Sequence, residues 1–353
     1  MVDKHLLVCY NTSMTQPFKK AACFTDIHFG LRNNSRSHND DCENFIKWMT
    51  AEAKKEGAET CIFLGDWHNN RSTVNVSTLN YTTSNIKYLS ENFEKVYVIM
   101  GNHDLAYREK REINSLPFAK HLSNVVLVDE QTTIGDMTII PWLVGDEWTA
   151  VSKLKSRYIF GHFELPHFKM NAMVEMPDHG GLNAGHFPNQ ELVFSGHFHK
   201  RQRKGNIVYM GNCFPHNYAD AWDDERGMML LEHGGQPEFR TWPMAPKFKT
   251  LTLTQAIDRH EELFDSQTFA RVTIDVDISF EEATYIKEQW AETYNMRELS
   301  LVPGKKEEHA TEWTGGEIQF ESVDAIVLNQ IQAIDSTVID RNMLTQIYQG
   351  LTH

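Results

Sequence analysis

The chain has 353 residues, of which 41% are hydrophobic and 23% are charged, and these proportions are ordinary for a soluble globular protein. A chain of this length can bury a full core, and we expect one large and one small domain. The formal net charge of -14 disfavours a nucleic-acid surface built from lysine and arginine. Carboxylates gathered for divalent cations contribute to that charge, so it is compatible with a metal centre.

Cysteine usage and hydropathy indicate a reducing compartment. The cysteines form no C-x-x-C pair, and two lie in predicted buried strands, so neither a disulfide framework nor a zinc site built from cysteines is expected. No apolar run approaches the roughly 18 residues of a membrane span, and the N-terminus lacks a basic segment followed by an apolar one. We therefore expect a cytosolic protein without a membrane partner.

The N-terminal part alternates between predicted strands and helices. After a short strand at 6–10, apolar runs at 21–25, 60–64 and 96–100 are separated by helical stripes over 41–55 and 76–93. This alternation is typical of a right-handed parallel α/β arrangement. Further strands are predicted at 125–128, 137–140, 158–160, 192–195, 207–210 and 228–232.

The remaining segments divide the chain into domains. Residues 107–111 are predicted as a charged loop, and 162–192 as an irregular excursion. A small α+β region follows, with a strand at 271–278, a helix over 280–294, a strand at 298–302 and two short helices within 323–351. The expected domains cover residues 1–245, 246–320 and 321–353, the last of them a helical segment.

Five predicted strands end in polar motifs. The motifs are D-I-H at 26–28, G-D-W-H at 65–68, G-N-H-D at 101–104, G-H at 161–162 and G-H-F-H at 196–199. The carboxyl ends of strands are where α/β sheets place their chemistry, so we expect these side chains to meet. The candidate metal ligands are Asp26, His28, Asp66, Asn102, His162, His197 and His199.

These oxygen and nitrogen donors, without a thiolate, suit a pair of divalent ions such as manganese, iron or zinc. Asp66 is the candidate for a bridging carboxylate. Metals about 3.5–4 Å apart can share a water, lower its pKa and clamp a phosphoester for attack by the bridging hydroxide. His103 is the candidate for assisting the leaving oxygen, and we expect the adjacent Asp104 to orient its imidazole and raise its pKa.

The motifs D-x-H, G-D, G-N-H-D, G-H and G-H-x-H, in this order over roughly residues 21–215, resemble the calcineurin-like metallophosphoesterase superfamily. Within it the chain is most similar to SbcD-type DNA repair nuclease subunits, particularly phage recombination endonuclease subunits. G-H-F-E-L at 161–165, Y-x-G-N at 209–212 and the C-terminal region support this narrower resemblance. It implies a four-layer α/β/β/α sandwich with a small α+β capping domain and C-terminal helices.

The resemblance also implies roles for the candidate residues. One metal is held by Asp26, His28, Asp66 and His199, and the other by Asp66, Asn102, His162 and His197. His103 is then the transition-state histidine. The implied cofactor is a pair of divalent ions, with Mn²⁺ favoured. The implied activity is a 3′ to 5′ exonuclease on duplex DNA and an endonuclease on single strands, in recombination, repair and replication.

The resemblance implies DNA and an SbcC-type, SMC-like ATPase as partners. It also implies that two copies of this chain form a homodimer inside a heterotetramer. The expected location is the cytoplasm, which is the cytoplasm of the host cell if the chain is phage-encoded. An apolar stripe in the last helix is either packing on its own domain or the docking surface for the ATPase. One departure from the pattern is Asn69, where many relatives carry a histidine. His68 is considered as its replacement, and both residues as supports behind the metals.

Basic residues near the motifs are candidates for contacts to DNA phosphates, with a solvated surface as the alternative. They are Lys200, Arg201, Arg203 and Lys204, predicted at a hairpin tip, together with Arg108 and Arg111. Two other functions stay open at this point. One is a metallophosphatase or small phosphodiesterase of the same superfamily, and the other is a scaffold subunit that binds DNA ends without catalysis.

Overall fold

The computed structural model describes residues 16–170 and 174–304, together with helical positions 331, 341 and 343–345. Residues 1–304 belong to one compact unit and residues 305–353 to a second. The predicted strand at 6–10 lies outside the described residues, as does most of the predicted helical segment 321–353. None of the helices within the described ranges is long and apolar enough to cross a membrane.

The elements of the described part begin and end as follows. The strands are β1 (Lys20–Phe24), β2 (Thr60–Phe63), β3 (Lys95–Ile99), β4 (Leu105–Tyr107), β5 (Lys110–Asn114), β6 (Val125–Val128), β7 (Thr132–Ile134), β8 (Met137–Ile140), β9 (Tyr158–His162), β10 (Leu192–Gly196), β11 (Gln202–Lys204), β12 (Ile207–Tyr209), β13 (Gly227–Glu232), β14 (Glu238–Thr241), β15 (Lys247–Thr252), β16 (Thr268–Ile274) and β17 (Glu298–Pro303). The α-helices are α1 (Leu31–Asn34), a single turn with left-handed residues, α2 (Arg36–Lys55), α3 (Val76–Asn92), α4 (Leu253–Leu263) and α5 (Phe280–Tyr294). Short 3₁₀ helices cover Pro117–His121, Glu147–Lys153, Ala184–His186 and Tyr218–Asp220.

Two six-stranded sheets pack face to face. The first has the order β14-β13-β1-β2-β3-β6, with β1, β2, β3 and β6 parallel. The second has the order β11-β12-β10-β9-β8-β7, with β8, β9, β10 and β12 parallel. Because parallel strands end at the same edge of a sheet, the polar motifs after β1, β2 and β3 gather at one edge and those after β9 and β10 at another.

Alternating side chains build three apolar layers around the sheets. Ala22 and Phe24 of β1 face α2, while Ala21 and Cys23 face the second sheet, as the two-residue period of a strand requires. The outer face of the second sheet packs against segments that include the 3₁₀ helix Glu147–Lys153. The predicted four-layer sandwich is therefore confirmed, and the fourth layer in the described ranges is built from 3₁₀ turns and irregular segments.

A separate parallel sheet, β15-β16-β17, follows with α4 and α5. It extends the predicted α+β region by two elements, β15 and α4, that the sequence patterns missed. Arg297 joins this sheet to α2 through two contacts with the Asp41 carboxylate, at 2.5 and 2.9 Å. The Arg32 guanidinium lies 4.6 Å from the ring centroid of Phe269. These contacts place the C-terminal sheet beside the loop that follows β1.

The charged loop predicted at 107–111 is shortened to a turn at Arg108 and Glu109, between the short strands β4 and β5. The segment is the tip of a hairpin in which Tyr107 pairs with Lys110. Arg111 donates hydrogen bonds to the carbonyl oxygens of Asp129 and Trp142, at 2.9 and 2.8 Å. These tertiary contacts outweigh the local charge pattern, which carried no information about distant partners.

Candidate metal centre

The side chains at the strand ends converge between the two sheets. In the first sheet, Asp26 follows β1, Asp66 follows β2 and Asn102 follows β3. In the second sheet, His162 is the last residue of β9, and His197 directly follows β10. Their ligand atoms form overlapping groups, and within each group they lie within 4.8 Å of one another. The groups are Asp26, His28 and Asp66; Asp66, His162 and His197; and His28, His199 and His216.

Glycine makes this close approach possible. A Cβ on Gly196 would lie 2.1 Å from the Thr25 hydroxyl, and one on Gly101 would lie 2.2 Å from Oδ1 of Asp66. Both distances are far below van der Waals contact, so only glycine lets these strand ends approach so closely. The backbone at Asp66 is also left-handed, with φ of 64°. Residues held in this region cost free energy and concentrate at functional sites.

Asp66 lies between the two groups of ligands. Its Oδ2 is 3.3 Å from Nε2 of His162 and 3.8 Å from Nε2 of His28. Its Oδ1 accepts a hydrogen bond from the backbone N–H of His103 at 2.8 Å. The carboxylate therefore has the position that the predicted bridging role requires.

Two histidines are oriented by groups behind them. His162 places Nδ1 2.7 Å from the carbonyl oxygen of Leu64, and His197 places Nε2 3.0 Å from Oε2 of Glu164. Because a carbonyl or carboxylate oxygen only accepts, each of these ring nitrogens carries the proton. The other nitrogen of each ring lies 3.0–3.1 Å from Oδ1 of Asn102. Partners of this kind fix the tautomer of metal-binding histidines.

Electrostatics favour positive charge beside Asp66. Burial alone would lower the pKa of His162, but Asp66 outweighs it and raises that pKa to about 9. Burial would raise the pKa of Asp66, yet His162, His28 and His103 hold it well below its ordinary value. A divalent cation would supply positive charge beside Asp66 in place of the proton on His162, so the pocket suits one.

His28 provides a direct test of whether a metal fits. It is 4% exposed, and within the described ranges neither of its ring nitrogens has a hydrogen-bond partner. Burial lowers its pKa well below the ordinary value, so the ring is neutral and keeps a lone pair. Buried polar atoms are normally satisfied, and the nearest acidic atoms, on Asp26 and Asp66, are 3.8–3.9 Å away. A cation between these groups would satisfy them, so the residues fit a metal.

His103 lines the same pocket, together with His28, Asp66 and His199. Its Nδ1 lies 2.7 Å from the carbonyl oxygen of Asn69 and therefore donates to it. The imidazole is thus oriented by a backbone carbonyl, and Nε2 is left for a bound group. Asn69, considered as a support behind the metals, contributes through its backbone.

The prediction that Asp104 orients His103 is wrong. The Asp104 carboxylate is 1% exposed and accepts four backbone N–H groups. The donors are Asp66, Trp67, His68 and Gly101, at 2.9–3.1 Å. Asp104 ties the loop after β2 to the loop after β3, and so holds Asp66 beside Asn102.

The structure also contradicts the idea that His68 replaces the missing histidine. Its ring nitrogens lie 2.7 Å from the hydroxyl of Ser115 and 2.8 Å from that of Thr82. The ring is 1% exposed and burial lowers its pKa to about 4. His68 is a buried structural histidine, and it is not among the described residues that line the pocket with His103.

The basic candidates for DNA contact are engaged with protein groups. Lys200 pairs with Asp223 at 2.9 Å, and the Arg201 guanidinium lies 4.7 Å from the ring centroid of Phe239. Arg108 pairs with Glu164 at 2.7 Å, Arg111 with Glu147, and Lys204 contacts the His167 carbonyl. Arg203 is exposed, and its guanidinium donates a hydrogen bond to the carbonyl oxygen of Gly205 in the same turn. The predicted hairpin tip is the strand β11 and its turn, and DNA contact there stays a prediction.

Two residues of the site were missed. The only sign of Glu164 was its place in G-H-F-E-L, two residues after His162. His216 lies in the loop after β12, outside every motif, although it lines the pocket with His28 and His199. Only the fold brings it there.

Several known proteins are similar to this chain in sequence or in structure. The sequence profile of the family described as Calcineurin-like phosphoesterase matches residues 19–280. Exonuclease subunit 1 of Enterobacteria phage T4 is 23% identical over 339 residues, which cover 91% of this chain and 95% of the phage protein. Solved structures with a similar fold include a dimetal phosphatase from Danio rerio, which is 11% identical in sequence. The match covers 62% of this chain and 93% of the phosphatase, with a TM-score of 0.38. Another is the nuclease MPE of Pseudomonas putida, 17% identical, covering 61% and 84% at a TM-score of 0.30.

Proposed function

The chain belongs to the calcineurin-like phosphoesterase family, and from that premise we propose that it is a two-metal DNA nuclease subunit. The observation that carries the proposal is the convergence of seven residues with oxygen and nitrogen donors, Asp66 among them, beside His103. Support for a nucleic acid as the substrate comes from the phage exonuclease subunit, which aligns with nearly the whole chain, and among nucleic acids we propose DNA. That alignment also agrees with the narrower resemblance to SbcD-type subunits.

We propose that two divalent ions, Mn²⁺ in the first instance, occupy this centre. The first set of ligands is Asp26, His28, Asp66 and His199, and the second set is Asp66, Asn102, His162 and His197. When bound, such ions lower the pKa of a water and neutralise phosphate oxygens. The chain's own part is to fix the ligands, since Asp104, Leu64 and Glu164 hold their positions.

His103 is proposed as the acid for the leaving oxygen. Because Nδ1 is committed to the carbonyl of Asn69, the imidazolium can donate its other proton from Nε2. The hydrogen bond from its backbone N–H to Asp66 fixes the distance between the acid and the ligands. A positioned acid of this kind contributes roughly 10²- to 10⁴-fold to a rate.

The wider assembly is also a proposal. The T4 relative is an exonuclease subunit by name, which implies a protein with further subunits. We propose an SbcC-type, SMC-like ATPase as this chain's partner, docked on the segment 321–353, with a homodimer inside a heterotetramer. Residues 1–245 would form the nuclease domain and 246–320 the capping domain that contacts DNA. The complex would act as a 3′ to 5′ exonuclease and as a single-strand endonuclease in recombination, repair and replication. It would work in the cytoplasm, which for a phage protein is the cytoplasm of the host cell.

Labelled duplex and single-stranded DNA test the substrate class. The wild type and His103→Ala are compared in Mn²⁺, Mg²⁺ and chelator, with and without the ATPase partner, beside a phosphoprotein and a generic phosphodiester. We expect cutting of DNA in Mn²⁺ that chelator abolishes and that the variant reduces by roughly 10²-fold or more. Intact DNA under every condition, with turnover of the phosphoprotein, would instead assign a phosphatase.

A further inference from the structure

His216 is the buried histidine that the proposed ligand sets leave out. It is 1% exposed, and its Nε2 has no hydrogen-bond partner within the described ranges. Its ring centroid lies 5.5 Å from that of His28 and 5.5 Å from that of His199. Ligand atoms of these three rings lie within 4.8 Å of one another, which is close enough to share one cation.

The loop that carries His216 is held firmly. The Asp220 carboxylate accepts hydrogen bonds from the His216 N–H at 2.9 Å and from the Asn212 amide at 3.2 Å. Fully buried Arg226 donates to the side-chain oxygen of Asn212 at 2.8 Å, and Arg32 donates to the His216 carbonyl at 2.6 Å. The backbone on either side of the ring is therefore fixed by charged and polar side chains.

This support does not extend to the ring nitrogen. A histidine buried only for packing would be expected to find a donor or acceptor for Nε2, as His68 does with Thr82. His38, which packs against His216 with ring centroids 5.4 Å apart, also satisfies its Nε2, through the carbonyl of His28. His216 and His28 instead share an unpartnered, buried Nε2 beside the same pocket.

We propose that His216 is a direct ligand of the first metal position, together with Asp26, His28, Asp66 and His199. Three imidazoles would then face that position, whereas the second position has two imidazoles and the Asn102 amide. Nitrogen donors favour first-row transition ions over Mg²⁺, so the first position would retain Mn²⁺ or Fe²⁺ and discriminate against Mg²⁺. The assignment depends on the proposed metal centre and not on DNA being the substrate.

Metal binding tests the assignment without any activity measurement. Metal-free wild type, His216→Leu and His216→Gln are titrated with Mn²⁺ by calorimetry, and the bound metal is counted after desalting. His233→Gln is the matched control, because that imidazole is bound to Asp136 at 3.0 Å and lies outside the metal groups. We expect two ions in the wild type and the control, and one site weakened roughly 10- to 100-fold in both His216 variants.

Unfolding in chelator shows whether each variant is folded, and the Gln variant replaces the Leu variant if the latter does not fold. Cobalt adds a spectroscopic readout, since the absorption bands of bound Co²⁺ should change in the His216 variants and not in the control. Wild-type affinity at both sites in a folded His216 variant would overturn the assignment and leave the proposed function standing. A wild type that binds no metal would overturn both.

Discussion

Replacing Asp104 with asparagine separates a structural role from a catalytic one. In the wild type, Oδ1 accepts the N–H groups of Trp67 and His68, and Oδ2 accepts those of Asp66 and Gly101. An asparagine offers one oxygen and one NH₂ group, so two of the four buried N–H donors would face another donor. The two loops that hold Asp66 and Asn102 should then separate.

The size of the effect follows from the bonds lost. Burial and the neighbouring Asp66 raise the pKa of Asp104 to about 7, so the comparison is made above that pH, where the carboxylate is charged. Hydrogen bonds to a charged group contribute roughly 1.5–3 kcal/mol each, so losing two should lower the free energy of unfolding by about 3–6 kcal/mol. A domain is typically stable by only about 5–15 kcal/mol, so the change is easily measured. Asp136→Asn is the control, because that carboxylate is partly exposed and pairs with His233, and such pairs contribute only about 0–1 kcal/mol.

Chemical denaturation in chelator, followed by circular dichroism, gives both free energies without a contribution from bound metal. We expect Asp104→Asn to unfold at a clearly lower denaturant concentration than Asp136→Asn. Equal stability of the two variants, with activity lost only in Asp104→Asn, would refute this structural role. It would indicate instead that Asp104 acts by orienting the imidazole of His103.

Two further predictions concern the metal centre, and a third concerns the buried structural histidine His68. His103→Gln should lower kcat roughly 10²- to 10⁴-fold while calorimetry still finds two bound Mn²⁺ ions, and loss of both ions would contradict the acid role. Glu164→Gln weakens the partner of His197 and should reduce Mn²⁺ affinity at one site roughly 10- to 100-fold, whereas unchanged affinity would exclude that support. Burial holds the pKa of His68 at about 4 in the folded chain, against 6.5 ordinarily, so only the unfolded chain takes up its proton between these values. Between pH 6.5 and about 4 this difference should remove up to about 3 kcal/mol of metal-free stability, in addition to the effect of other buried histidines such as His38, whose pKa burial also lowers to about 4. The pH curve should therefore be shallower in His68→Gln than in the wild type, and equal slopes would contradict this.

The strand ends could be predicted from the sequence because the residues that identify each of them are adjacent in the chain. A buried run followed by a small polar motif identifies Asp26, Asp66, Asn102, His162 and His197 without knowledge of the partners. The parallel arrangement of the strands then brings these motifs to the edges of two facing sheets. Both the sandwich and the clustering of the ligands follow from this pattern.

The errors come from contacts between residues far apart in sequence. Adjacency suggested that Asp104 serves His103, but its carboxylate is bound by the loop after β2, 36–38 residues away. His216 carries no motif, and it meets His28 only because the loop after β12 returns to β1. The strand β15 directly follows Pro246, which suggested a domain boundary, and its pairing with β16 is invisible in local periodicity.

The most direct test of the central claim is the position of metal in crystals grown with Mn²⁺, located by anomalous scattering. We expect two peaks, about 3.5–4 Å apart, with the carboxylate of Asp66 between them. One peak should border His28 and His199, and the other His162 and His197. A single peak, or two peaks that do not share Asp66, would contradict a two-metal centre at the ends of these strands.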